Sequence, residues 1–99
     1  MQVIAKRALR EFWSKHPQAK TPLAAWRKIV GKSEWAGPAD VKNAFGTAVD
    51  FVGDNRAIFD IAGNKYRVIA HIAYRHKRVL IEFVGARKDY DRIDPETAG

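Results

Sequence analysis

The 99-residue chain predicts an α+β fold: an N-terminal helical hairpin packed on one face of a small antiparallel sheet of three to four strands, followed by a short C-terminal helical turn. Three observations predict it. Apolar residues in the first third recur at three- and four-residue spacing, the period of an amphipathic helix. Between residues 56 and 84 the period becomes two, as in strands with one buried face. Helical pattern comes first and strand pattern second, without alternation, which is the order of a layered α+β domain. A chain of this length has room for one core, so residues 1–99 are expected to form a single domain.

Residues 3–16 carry Ile4, Ala5, Ala8, Leu9, Phe12 and Trp13 on one side of a helix, with Lys6, Arg7, Arg10, Glu11, Ser14 and Lys15 on the other; Pro17 stops it. Thr21-Pro22 reads as an N-cap followed by proline at the first helical position. A second helix then runs to about Val30 with Leu23, Trp26, Ile29 and Val30 as its stripe, and Gly31 as its C-terminal cap. Ser33 to Ala48 is irregular apart from a helical turn at Pro38 to Phe45, pinned by Trp35, Val41 and Phe45. Asp50-Phe51-Val52 is a short edge strand.

A meander follows. Arg56 to Ile61 is a strand, Gly63-Asn64 a tight turn, and Lys65 to Arg75 the central strand. His76-Lys77 is a weaker turn, and Arg78 to Val84 the third strand, with Val79, Ile81 and Phe83 on one face; Gly85 breaks it. Arg87 to Ile93 suits one helical turn, and residues 94–99 are a polar tail.

The net charge of +7 is unevenly placed. Residues 1–32 hold eight Lys or Arg against one acid, residues 33–64 two against five, and residues 65–99 eight against five. Such fields attract polyanions, and an acidic protein partner would feel the same pull. There is no cysteine, hence no disulfide or thiolate metal site. No apolar run approaches the ~20 residues that span a bilayer, and the N-terminus lacks the long apolar core of a signal peptide. The expected compartment is the cytoplasm, with no membrane association.

His16, His71 and His76 have no carboxylate at a ligand spacing, so neither a metal nor a cofactor is expected. Ser14 and Ser33 both fall in the helical half, away from the strands. What remains is a basic and aromatic set on strands and turns: Arg56, Lys65, Arg67, His71, Arg75, Arg87, Lys88 and Tyr90. Lys65, Arg67, Ile69, His71, Ala73 and Arg75 share one face of the central strand, and that set holds no acid. Cleaving an RNA phosphodiester without metal needs a proton acceptor for the ribose 2′-hydroxyl, a proton donor for the leaving oxygen, and cations on the phosphorane. Lys, Arg, His and Tyr supply such groups, and arginine grips two phosphate oxygens at once. A non-catalytic basic module, binding RNA or an acidic partner, fits the same residues.

The motifs Asp50-Phe51-Val52-Gly53-Asp54-Asn55-Arg56, Phe59-Asp60-Ile61-Ala62-Gly63-Asn64-Lys65-Tyr66-Arg67-Val68-Ile69, Phe83-Val84-Gly85 and Asp89-Tyr90-Asp91-Arg92-Ile93-Asp94 resemble the HigB-type toxins of bacterial type II toxin–antitoxin systems, in the RelE-like superfamily. Trp35, Pro38, Asp40-Val41-Lys42 and Phe45 match the middle of the same family, so the resemblance covers nearly the whole chain. It implies a RelE-like fold and a ribosome-dependent endoribonuclease that cuts mRNA in the A site without metal. It also implies neutralisation by a HigA-type helix-turn-helix antitoxin, with operator DNA reached only through that antitoxin. On these residues, Lys65 and Arg67 would hold the scissile phosphate, and Tyr90 would stack on a base or assist proton transfer, with Asp91 orienting a neighbour. Arg56, Asn64, His71, Arg75 and Lys88 would contact RNA. Arg87 stands where the family often has histidine, and Glu82 where a basic residue often precedes Phe83. Arginine stabilises charge but is a poor general acid or base near neutral pH, so three outcomes are expected of the resemblance: Arg87 only stabilises the transition state, or the protein cuts slowly, or His71 or Tyr90 takes the proton role.

Overall fold

The computed structural model describes residues 1–90, with the backbone but not the side chains of Asp89 and Tyr90. Among these residues one five-stranded sheet runs in the order β1 (Gln2–Ile4), β5 (Arg78–Ala86), β4 (Tyr66–Ala73), β3 (Arg56–Ile61), β2 (Val49–Val52). Helices α1 (Lys6–Lys15), α2 (Lys20–Lys32) and α3 (Pro38–Phe45) precede the meander, and a single turn, α4 (Arg87–Tyr90), follows it. The class is α+β and the 65–75 stretch supplies the central strand, as expected. The remainder of the expected Arg87–Ile93 turn, Asp91 and the tail lie outside the described residues.

Two elements of the N-terminal half differ from the expectation. The first residues form a strand rather than the start of a helix. β1 lies parallel to β5, with Gln2 opposite Arg78 and Ile4 opposite Leu80, so the sheet is mixed and five-stranded. Consecutive β-branched Val3 and Ile4 favour that pairing. Ala5 then takes a left-handed backbone (φ 70) that turns the chain into α1. The second helix starts earlier and ends later. A 3-10 turn at Pro17–Ala19 feeds straight into Lys20, and the helix passes through Gly31 to Lys32. Thr21 and Gly31 therefore lie inside it instead of capping it.

The core fills the space between the helices and one sheet face. Leu9 from α1, Leu23 and Val30 from α2, and Phe59, Val68, Ile72 and Val79 from the strands are fully buried. Each such side chain contributes roughly 1.5–3 kcal/mol on leaving water. Trp26 sets its ring edge-on to Phe59 with centroids 5.2 Å apart, so it packs against the sheet. Ile29, which the stripe placed inward, is 46% exposed. Trp35 is buried against Phe45, and its carbonyl accepts from Lys77 Nζ at 3.1 Å, so the long connection is stapled at both ends. Tyr66 is buried in the core, where it meets Phe12 edge-on at 5.7 Å.

Tyr74 follows β4 and packs partly against the core, and burial pushes its hydroxyl above the usual phenol value. The folded state therefore holds that proton more tightly. The associated stability is complete below the ordinary value of about 10 and is lost as pH climbs through the raised one. Tyr74→Phe is expected to flatten the fall of melting temperature measured between mildly and strongly alkaline buffer.

The β3–β4 connection is longer than a two-residue hairpin. Ile61 pairs with Tyr66, leaving Ala62, Gly63, Asn64 and Lys65 in the loop, and the first three all have positive φ. A side chain at φ 55 costs Ala62 on the order of 1 kcal/mol relative to glycine. Ala62→Gly is therefore expected to raise the denaturant midpoint modestly, with no change in the slope.

Candidate active site

The helices cover one face of the sheet and leave the other to the residues of interest. Cross-strand pairs fix which side chains share that open face. Arg56 is opposite His71, Ile58 opposite Ile69, and Asp60 opposite Arg67 on the β3 side. Leu80 is opposite His71, Phe83 opposite Ile69, and Gly85 opposite Arg67 on the β5 side. The centre of this face is apolar: Ile69 is fully buried and Ile58 is 7% exposed, although both stand outside the main core.

A β-bulge shapes the face. Ala70 pairs with Ile81 but Ile69 pairs with Phe83, so Glu82 is the extra residue of β5. The expected alternation of Val79, Ile81 and Phe83 on one face therefore fails at its last member. Val84 turns inward to pack on the core, and Phe83 turns out. Gly85 does not break the strand, which runs on to Ala86.

The acid-free set of β4 meets acids from its neighbours. Arg67 Nε lies 2.9 Å from Asp60 Oδ1, its cross-strand partner. Glu82 reaches across β4 so that its Oε1 lies 2.6 Å from Arg56 Nε, with side chains 10% and 16% exposed, and Asp54 approaches Arg56 at 3.7 Å. These carboxylates fix both guanidiniums over the sheet and offset part of their charge.

The candidate residues fall into groups. Lys65 ends the β3–β4 loop, Arg67 follows on β4, and the Arg87 N–H donates to the Lys65 carbonyl at 3.1 Å. That bond joins the start of α4 to the loop, so Asn64, Lys65, Arg67, Arg87 and Lys88 share one end of the face. Lys65, Arg87 and Lys88 are exposed there. The backbone of Tyr90 closes α4 at the same end. Arg56 and His71 form a second group four residues further along β4, roughly 13 Å away at about 3.3 Å per residue. Arg75 is exposed in the β4–β5 turn, beyond both. Phe83 and Asp60 were not singled out by sequence reasoning. Asp60 stood only within the Phe59–Ile69 motif, and it pairs with Arg67.

The helical side has its own basic feature, a cleft of about 550 Å³ where β1 meets α2, lined by Lys6, Arg27, Lys28 and Lys32 with no acidic residue. Among the described residues no three histidine or carboxylate side chains gather as a metal site, and no helix is long and apolar enough to cross a membrane.

Residues 19–93 match the family model described as HigB_toxin, the RelE-like toxic component of a toxin–antitoxin system. The mRNA interferase toxin HigB of Escherichia coli strain K12 is 30% identical over 92 residues, covering 92% of this chain and 88% of that protein. The mRNA interferase HigB of Escherichia coli O6:H1 is 26% identical over 94 residues, covering 94% and 91%. The match runs through the loop, both sheet-face arginines and the start of α4, and this chain therefore belongs to the HigB family of RelE-like toxins, the toxic components of toxin–antitoxin systems.

Proposed function

We propose that this protein is a ribosome-dependent, metal-independent endoribonuclease that enters the A site, cuts translated mRNA, and is neutralised by a HigA-type helix-turn-helix antitoxin. The relatives' activity as mRNA interferases supports the substrate class. The observation that carries the reading is the backbone bond from Arg87 to Lys65, which gathers Lys65, Arg67 and Arg87 at one end of the open face. In the proposed step the ribose 2′-oxygen attacks phosphorus as its proton is taken. The P–O5′ bond breaks, a proton reaches O5′, and a cyclic phosphate remains. Lys65 and Arg67 hold the non-bridging oxygens, whose charge grows in the phosphorane, and Arg87 adds a third cation. Solvent water takes the 2′-hydroxyl proton and Tyr90 donates to O5′, its phenolate then regaining a proton from water; the separation along β4 argues against His71, which is better suited with Arg56 and Arg75 to steering RNA.

Primer extension on a reporter mRNA in a translating extract tests this. The expected result is cuts within codons that appear only when the message is translated. The basic cleft beside α2 favours the alternative of a non-catalytic binder of RNA or an acidic partner. Inhibition of translation without cuts would establish that alternative instead.

A further inference from the structure

Phe83 is an aromatic residue that the core does not use. The bulge at Glu82 turns it onto the open face, where it is partly exposed. Its ring lies down along β5 toward Gly85: a β-carbon built at Gly85 would sit 2.5 Å from Phe83 Cζ and 3.2 Å from Cε2. Any side chain at position 85 would thus push the ring off the strand. The ring's cross-strand neighbour is Ile69, which supplies an apolar floor, and the next pair on the same face is Gly85 with Arg67. An aromatic ring and a guanidinium therefore sit one residue pair apart, roughly 7 Å, on adjacent strands.

We propose that Phe83, laid over Gly85 beside Arg67, is a nucleobase subsite: it stacks on an unpaired base next to the phosphate that Arg67 holds. The inference rests on the RNA-cutting reading above. Single-stranded nucleic acid is typically held by cations on the backbone with an aromatic platform for the adjacent base. A phenyl ring makes no hydrogen bonds, so the subsite ranks bases by stacking strength. It sets where the message is cut and how fast, and moves no proton itself.

The test compares full-length wild type with Phe83→Leu, Phe83→Trp and Gly85→Ala in the translating extract, mapping cut positions and rates. Phe83→Leu keeps an apolar cover on Ile69 but removes the π face. It is expected to cut about tenfold more slowly, with a flattened base preference beside the cut and a melting temperature close to wild type. Phe83→Trp should retain the rate with a shifted preference. Gly85→Ala should reproduce the leucine phenotype, because the ring tip can swing away while the backbone stays. If Phe83→Leu cuts at the same positions and rate as wild type, the subsite is refuted while the nuclease reading stands. If wild type itself makes no cuts, the nuclease reading fails. The subsite is then decided by RNA carrying 2-aminopurine: fluorescence quenched by wild type but not by Phe83→Leu supports it, and equal quenching overturns it.

Discussion

Arg67→Ala is expected to lower the rate of mRNA cutting by on the order of a hundredfold or more and to relieve growth arrest at equal expression. The guanidinium would hold two phosphate oxygens where the phosphorane charge develops, and water does not replace it. Arg67→Lys keeps the charge but loses the fork, so an intermediate rate is expected. Asp60 makes the experiment more informative, since its carboxylate sits 2.9 Å from Arg67 Nε and would compete with a phosphate for the same donor. Asp60→Asn keeps a polar neighbour and removes the competing charge, so RNA is expected to bind more tightly at low salt. Rates come from primer extension, and melting curves on the same preparations separate lost chemistry from lost fold. Full toxicity of Arg67→Ala would refute the placement of the phosphate at this end of the sheet.

Phe59→Ala is expected to have the largest effect on stability. Phe59 is fully buried and receives two edge-on rings, Trp26 at 5.2 Å and Phe45 at 5.0 Å. It is thus the point where α2, α3 and the sheet meet. Truncating such a ring costs about 3–5 kcal/mol through lost transfer energy and an unfilled cavity. For a domain of this size that is a fall in melting temperature on the order of 15–30 °C. Phe59→Leu refills most of the volume and should recover more than half of the loss. A fall of only a few degrees in the alanine variant would show that the two rings collapse into the space.

The meander was legible because its strands alternate and its turns contain Gly63-Asn64 and His76-Lys77. The helix pattern of the first third was legible for the same reason, although it claimed too much. Ile4 fits the spacing of Leu9 and Phe12, and nothing local marks it as a strand residue, because its partner Leu80 lies at the far end of the chain. The cations were visible as residue types, and their convergence was not: a backbone bond from Arg87 to Lys65 is a product of chain path. The bulge was likewise hidden. Phe83-Val84 is simply two apolar neighbours in the sequence, and which one faces the core depends on the extra residue at Glu82. The acids that temper the basic face, Asp60 and Glu82, come from strands on either side of the one that looked acid-free.

The parallel pairing of β1 with β5 has a consequence for synthesis. β5 is the seat of several elements at once: β1 lies along one edge, β4 along the other, Ala8 and Phe12 of α1 rest near its Ile81 and Val84, and α4 starts from its end. While residues 78–86 are still being made, β1 has no strand to pair with and Arg87 cannot reach Lys65. β1 must wait for β5 before it can pair, a long-range step that is slow in folding. A chain made only as far as β4 therefore holds Lys65 and Arg67 without the strand that carries Arg87 to them.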